Sequence, residues 1–167
     1  MLTILVAAII GGIGFRLRGS AEFQQWTGRG ATTARIVCWA LPCGIMTAVM
    51  LDLAWWWALA VGFAAWVGCL PPWWRTLTMG RNPQEGTYAA QAFRHAARGV
   101  LWGLPMAVVL GLAGAAWLPM LLASLTCWPA YELGYRISAT PWGRRWGGTE
   151  YGEALFGAAM GAAIAMS

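Results

Sequence analysis

The sequence predicts an all-α membrane protein, a polytopic bundle of about six short transmembrane helices arranged as repeated hairpins with long arginine-rich cytoplasmic loops. Three observations predict it. The first is composition: 59% of the 167 residues are hydrophobic and 10% are charged, against about a quarter charged in soluble chains. The second is a series of apolar runs at residues 1–15, 36–51, 53–74, 100–116, 117–135 and 154–166, separated by polar stretches that carry the arginines. The third is a repeat. At an offset of 63 the pairs Arg18/Arg81, Glu22/Glu85, Ala34/Ala97, Arg35/Arg98, Val37/Val100, Trp39/Trp102, Leu41/Leu104 and Pro42/Pro105 are identical, 8 of 25 positions.

Crossing the hydrocarbon core takes about 20 residues, so several runs must borrow from their flanks. The first, residues 1–15, has no basic stretch ahead of it and reads as a retained helix rather than a signal peptide. Residues 36–74 are roughly twice too long for one crossing, and Asp52 marks the turn between two helices. A second hairpin covers residues 100–135 and breaks near 114–119, where Gly114 and Pro119 interrupt it. The last run, residues 154–166, follows Glu150 and Glu153, whose charges favour a helix N-terminus. The whole chain forms one domain, with the repeat covering approximately residues 18–83 and 81–141.

Strict alternation of six crossings puts Arg16, Arg18, Arg29 and Arg35 in one loop, Arg75, Arg81, Arg94 and Arg98 in the next, and Arg136, Arg144 and Arg145 in the third. All eleven arginines then share one side, and the chain contains no lysine. The positive-inside rule makes that side cytoplasmic in a bacterial inner membrane and leaves both termini outside. A five-helix arrangement, with the last segment in the interface, keeps the same asymmetry. Beyond the 63-residue repeat, Cys69, Pro71 and Pro83 recur as Cys127, Pro129 and Pro141 at an offset of 58. Gly14-Phe15-Arg16 likewise resembles Gly134-Tyr135-Arg136. The first run therefore looks like the second half of a hairpin. If it pairs with the last run, three hairpins surround a pseudo-threefold axis.

Candidate site residues cluster on the arginine side. Asn82-Pro83-Gln84-Glu85 has the form of a helix start, and the helix it opens is expected to lie along the membrane surface before turning in near Gly99. Gln91, Arg94, His95 and Arg98 share one of its faces, while Tyr88 and Phe93 enter the headgroup region. Arg18, Arg35, Arg81, Arg94, Arg98, Arg136, Arg144 and Arg145 are candidates for lipid or phosphate binding, because guanidinium binds phosphate bidentately. His95, the single histidine, has arginines beside it that disfavour a further cation, so a neutral imidazole able to act as a base is expected. Glu132 sits in an apolar run four residues before Arg136, and an acid so placed is a functional candidate with an intrahelical ion pair as the plainer reading. Glu150 is a third candidate for proton handling. Trp142 and Trp146 flank Arg144 and Arg145 in an interfacial pattern, which argues for lipid rather than nucleic acid as the partner.

The four cysteines lie in apolar runs without metal or redox spacing and read as packing residues. No signature of a nucleotide, metal or cofactor site occurs, so no metal and no cofactor are expected. Small-residue spacing at Gly11, Gly12 and Gly14, at Gly99 and Gly103, and at Gly157 and Gly161 promotes close helix contact, within the bundle or between copies as a homo-oligomer.

The segment GFRLRGS, followed by TGRGATTAR and a helix bearing Leu41-Pro42, resembles small polytopic membrane proteins of tailed phages and prophages. That resemblance covers about the first quarter of the chain and implies a bacterial inner membrane and a phage or prophage source. It carries over no catalytic residues. The expectation is a membrane modulator or holin-like protein acting by binding anionic lipid headgroups or by self-assembly. Two alternatives stand beside it: an enzyme for a phosphate-bearing lipid, with Arg18, Arg81 and Arg98 holding phosphate, and a small anion transporter.

Overall fold

The computed structural model describes residues 1–19, 30–70, 86–141, 143 and 150–167. Among these residues all regular structure is helical and no strand occurs. Six helical rods follow one another: α1 (Leu2–Gly19), α2, α3 (Trp55–Gly68), α4 (Tyr88–Leu112), α5 and α6 (Glu150–Met166). α2 is built from Gly30–Arg35, a π-helical Ile36–Ala40 and Leu41–Met50; α5 joins Leu118–Leu125 to Cys127–Ala139 through Thr126. Two stretches are long and apolar enough to cross a membrane, Thr32–Met50 and Tyr88–Leu112, while Trp55–Gly68 is apolar but shorter.

Both expected hairpin turns are present. Asp52 adopts φ +47, a left-handed conformation that a short polar side chain tolerates, and reverses the chain between α2 and α3. Gly114, at φ +81, does the same between α4 and α5. The proposed cap at Asn82 lies outside the described residues. The described helix begins at Tyr88, where the Thr87 hydroxyl accepts a hydrogen bond from the Ala90 amide at 3.3 Å.

One expectation is corrected. The chain does not turn at Gly99: α4 runs unbroken for 25 residues, roughly 37 Å. The alanines around Arg94 and His95 favour continued helix. Gly99 lies mid-helix against the Ser124 carbonyl and the Cys127 side chain, and Gly103 meets Ser124. Glycine at these positions permits close approach to α5 rather than a bend.

α1 and α6 run antiparallel and nearly touch. A Cβ at Gly11 would collide with the Gly157 carbonyl and approach the Gly161 backbone; one at Gly161 would collide with the Ala7 carbonyl. This contact fixes the register, with Ala7 and Gly11 of α1 beside Gly161 and Gly157 of α6, and Gly12 beside Ala154. The last run therefore packs along the first instead of standing apart from the bundle. All three glycine groups are used within the chain.

The ring of Phe15 sits at the centre, fully buried, and meets Trp39, Trp102 and Phe156 edge-on at 4.8, 4.9 and 5.2 Å between centroids. These partners come from α2, α4 and α6, and Trp39 and Trp102 are a pair matched by the 63-residue offset. Edge-to-face geometry sets the positive ring edge against a negative face, so the core is specific as well as apolar. Cys43, Cys69, Met106, Met120, Cys127 and Met160 fill the space around it, and the four cysteines are free thiols.

The exterior is apolar too. Leu5, Ile9 and Ile13 on α1, Ile45 and Val49 on α2, Leu59 and Phe63 on α3, Val108 on α4, and Leu118 and Leu122 on α5 are all exposed. Rods 1 and 6 meet tail to head, and the Ala116 amide donates to the Ser167 carbonyl at 2.8 Å, which ties the C-terminus to the turn after α4. Arg16, Arg18, Arg35, Arg94, Arg98 and Arg136 all lie toward the other end of their rods.

Because the α1/α6 contact leaves no room for a side chain, Gly157→Leu should destabilise the protein by about 3 kcal/mol. Ile9→Ala, on the exposed face of α1, should change stability by no more than about 0.5 kcal/mol. Unfolding by sodium dodecyl sulfate in mixed micelles, followed by circular dichroism, checks both. Equal effects of the two substitutions would contradict the packing described.

Candidate functional site

At the arginine end, α1, α4, α5 and α6 enclose a polar cluster. Arg18 comes from the last turn of α1, one turn beyond Phe15, and is 7% exposed. Its guanidinium lies 3.8 Å from the Phe15 ring centroid and 5.0 Å from that of Trp102. Arg98, one turn before Trp102 on α4, lies over the same indole at 4.5 Å. Two cations thus lean on one aromatic side chain, an arrangement worth about 2 kcal/mol or more per contact when water is excluded.

The acid that meets Arg18 is Glu153. Arg18 Nη2 is 3.7 Å from Glu153 Oε1, and the Tyr131 hydroxyl donates to that same oxygen at 3.3 Å. The side chains of Arg18 and Glu153 are 8% and 17% exposed, so solvent screens the pair little. Tyr131 also receives His95 against its ring at 4.6 Å between centroids, and His95 Nε2 lies 3.3 Å from the Tyr135 hydroxyl. The Trp128 ring also lies near the imidazole, at 5.5 Å between centroids. His95 Nδ1 and the Nε1 donors of Trp39 and Trp102 are buried without a hydrogen-bond partner among the described residues.

The face shared by Gln91, Arg94, His95 and Arg98 is therefore turned into the bundle. Arg94 and His95 are buried, with Arg94 reaching back toward Gly86, while Tyr88 and Phe93 are exposed as expected. Arg35 is half-buried at the start of α2 and within electrostatic range of Arg18 and Cys69. The remaining candidates stand at the rim. Arg136 donates to Glu132 at 2.9 Å, the expected intrahelical pair, with the arginine largely exposed. Arg16 pairs with Glu150 across α1 and α6, which commits that acid to an ion pair. Arg81, Arg144 and Arg145 lie outside the described residues. Among the described residues no group of three or more His, Cys, Asp or Glu side chains is placed to hold a metal.

Sequence reading missed Glu153, Tyr131, Tyr135 and Trp102 as site residues. A signal existed for the first. Setting the Gly11 stripe against Gly157 in antiparallel register carries Arg18 to the first turn of α6, where Glu150 and Glu153 are the acids available. Nothing comparable pointed to Tyr131 and Tyr135, whose helical spacing is indistinguishable from that of core aromatics.

Chemically the cluster holds two guanidinium groups, Arg18 buried and Arg98 partly exposed, against aromatic faces, with a carboxylate, two phenols and an imidazole close by. Guanidinium groups so placed are donors suited to an anion, and the Tyr131–Glu153 and His95–Tyr135 contacts are hydrogen bonds of the kind along which a proton can move. No protein-family model, curated protein or solved structure matches the chain.

Glu153 and Glu132 make an internal control for one another. Glu153→Gln leaves Arg18 buried beside a neutral amide and should cost about 3 kcal/mol. Glu132→Gln breaks a solvated i,i+4 pair and should cost at most about 0.5 kcal/mol. Chemical unfolding in detergent measures both, and similar costs would show that Arg18 does not depend on Glu153.

Proposed function

We propose that this chain is a small multi-pass protein of the bacterial inner membrane that binds anionic phospholipid headgroups at its arginine end. The observation that carries the reading is an inversion of the usual surface. The flanks expose Leu5, Ile9, Ile13, Val49, Leu59, Phe63 and Leu122, while Arg18, Arg94 and His95 are withdrawn inside. Soluble monomers rarely expose contiguous apolar surface beyond a few hundred Å². In a bilayer the same residues face lipid at no cost, and ionisable groups belong in the interior or at the ends.

In this reading all six rods cross, in alternation. The arginine end is cytoplasmic, and both chain ends lie outside. Charge supports the orientation: eleven arginines face six acids over the whole chain, and Asp52 belongs to the opposite end, so the arginine end carries a positive excess. An arginine beside an anionic leaflet contributes about 1 kcal/mol to attraction. The phage or prophage source remains part of the proposal through the resemblance of the first quarter of the chain.

Self-assembly into a holin-like pore is a weaker form of the same proposal. The glycine faces available for association are occupied within the chain, and Phe15 with its three aromatic partners fills the axis of the bundle. A second reading, an enzyme for a phosphate-bearing lipid, draws on the contacts of His95 with Tyr135 and of Tyr131 with Glu153. In that reading Glu153 joins His95, Glu132 and Glu150 as a candidate for proton handling. Anion transport is favoured by no comparable feature.

Phospholipid retained through purification in mild detergent tests the proposal. Phosphatidylglycerol and cardiolipin should be enriched over phosphatidylethanolamine, and Arg98→Ala should lower the bound anionic lipid about fivefold. Membrane potential should stay unchanged during induced expression. Retention indifferent to headgroup charge would refute the binding function; rapid depolarisation would establish the pore; a chemically altered lipid that disappears in His95→Gln would establish the enzyme.

A further inference from the structure

The hairpin of α2 and α3 carries an apolar groove on its outer side, away from the polar cluster. Its volume is about 530 Å³. The floor is made by Gly44 and Gly62, where the two helices meet backbone to backbone: a Cβ on Gly44 would lie 2.9 Å from the Ala58 carbonyl, and one on Gly62 3.0 Å from that of Ala40. Leu41, Ile45, Leu59 and Phe63 form the walls, and the groove runs from Ile36 and Trp66 at the arginine end to Ala48 and Trp55 at the other. Between Ile36 and Ala48 the helix rises roughly 18 Å. Every residue that lines the groove is apolar, from one end to the other.

The two ends differ in charge. Arg35, half-buried, immediately precedes Ile36, and the Trp66 indole Nε1 at the same end is buried without a hydrogen-bond partner among the described residues. The far end lies beside the turn that holds the exposed Asp52 carboxylate. An occupant with an apolar tail and an anionic head is therefore accepted in one direction only. Its head lies at Arg35 and its tail along Gly44 and Gly62 toward Ala48.

We infer that this groove seats one acyl chain of an anionic phospholipid from the surrounding bilayer, with Arg35 meeting its phosphate. The inference rests on the proposed membrane placement but adds a specific lipid position, separate from the Arg18 and Arg98 cluster. Glycine at the floor creates the seat, because any larger residue at 44 or 62 would push the hairpin apart. The seat selects on tail and charge together.

The test uses the full chain in nanodiscs containing a phosphatidylglycerol probe with a diazirine in its acyl chain, and maps cross-links by peptide mass spectrometry. Cross-links should concentrate in residues 36–48 and 55–66, well above those on the equally exposed Leu5 to Ile13 face. Ala48→Trp, which fills the distal end, should remove most of them. Arg35→Gln should lower them about fivefold. A phosphatidylcholine probe with the same chain, whose choline cation offsets the phosphate charge, should give the lower yield in the native protein and lose less of it in Arg35→Gln. Even labelling of all exposed apolar faces, or labelling untouched by both substitutions, would overturn the seat while leaving the membrane placement intact. Cross-linking between two copies through the groove would assign it to a second protein chain instead. Failure of the native chain to enter the bilayer, read separately from nanodisc incorporation, would remove the placement on which the inference rests.

Discussion

The close antiparallel contact of α1 with α6 is the constraint from which the rest of the arrangement follows. Gly11, Gly157 and Gly161 let the two backbones approach until no side chain fits between them. Helices held this near cannot slide, because each carbonyl lies against a neighbouring Cα. The fixed register sets Phe15 beside Phe156 at the centre of the bundle and brings Arg18 to Glu153 one turn further along. Trp39 and Trp102 then close on Phe15 from α2 and α4, so both central hairpins are positioned by a ring that the outer pair delivers.

Burying Arg18 is expensive, and the surroundings show how the cost is offset. A guanidinium is hydrated less strongly than an ammonium and can lie flat on an aromatic ring. Arg18 has the Phe15 face, the Trp102 face and the Glu153 carboxylate, and Tyr131 shares the carboxylate through a hydrogen bond. Lysine could satisfy only part of this set. Arg98 uses the other half of the Trp102 environment, which makes that indole the hub between two cations. An anion drawn to such a place meets directed donors rather than diffuse charge, and this separates the interior cluster from the exposed Arg136 at the rim.

Much of the architecture was legible because apolar run length and turn chemistry act locally. The six runs correspond to the six described rods, and Asp52 and Gly114 stand in the two expected reversals. Gly99 was misread because glycine has two uses, breaking a helix or admitting a neighbour, and only the partner helix decides between them. The site was half legible. Arg18, Arg94, Arg98 and His95 were singled out by residue type, but helical periodicity gives which residues share a face and not which way it points, and only the fold shows that Arg94 and His95 are buried. Glu132 drew attention as an acid in an apolar run, but its helical phase turns it outward to Arg136, whereas Glu153, inconspicuous beside Glu150, faces inward. Arg81, Arg144, Arg145 and the Asn82 cap fall outside the described residues.

In the proposed placement the apolar exterior faces lipid while the arginine end meets water. Spin labels introduced at Ile9→Cys, Leu59→Cys and Leu122→Cys, with Arg136→Cys as the aqueous reference, test it most directly through collision with oxygen and with a water-soluble nickel chelate in reconstituted bilayers. Labels at 9, 59 and 122 should collide readily with oxygen and barely with nickel, and the label at 136 should show the reverse. Strong nickel collision at all four positions would mean that these surfaces are solvated, which would contradict the placement of the bundle in a bilayer.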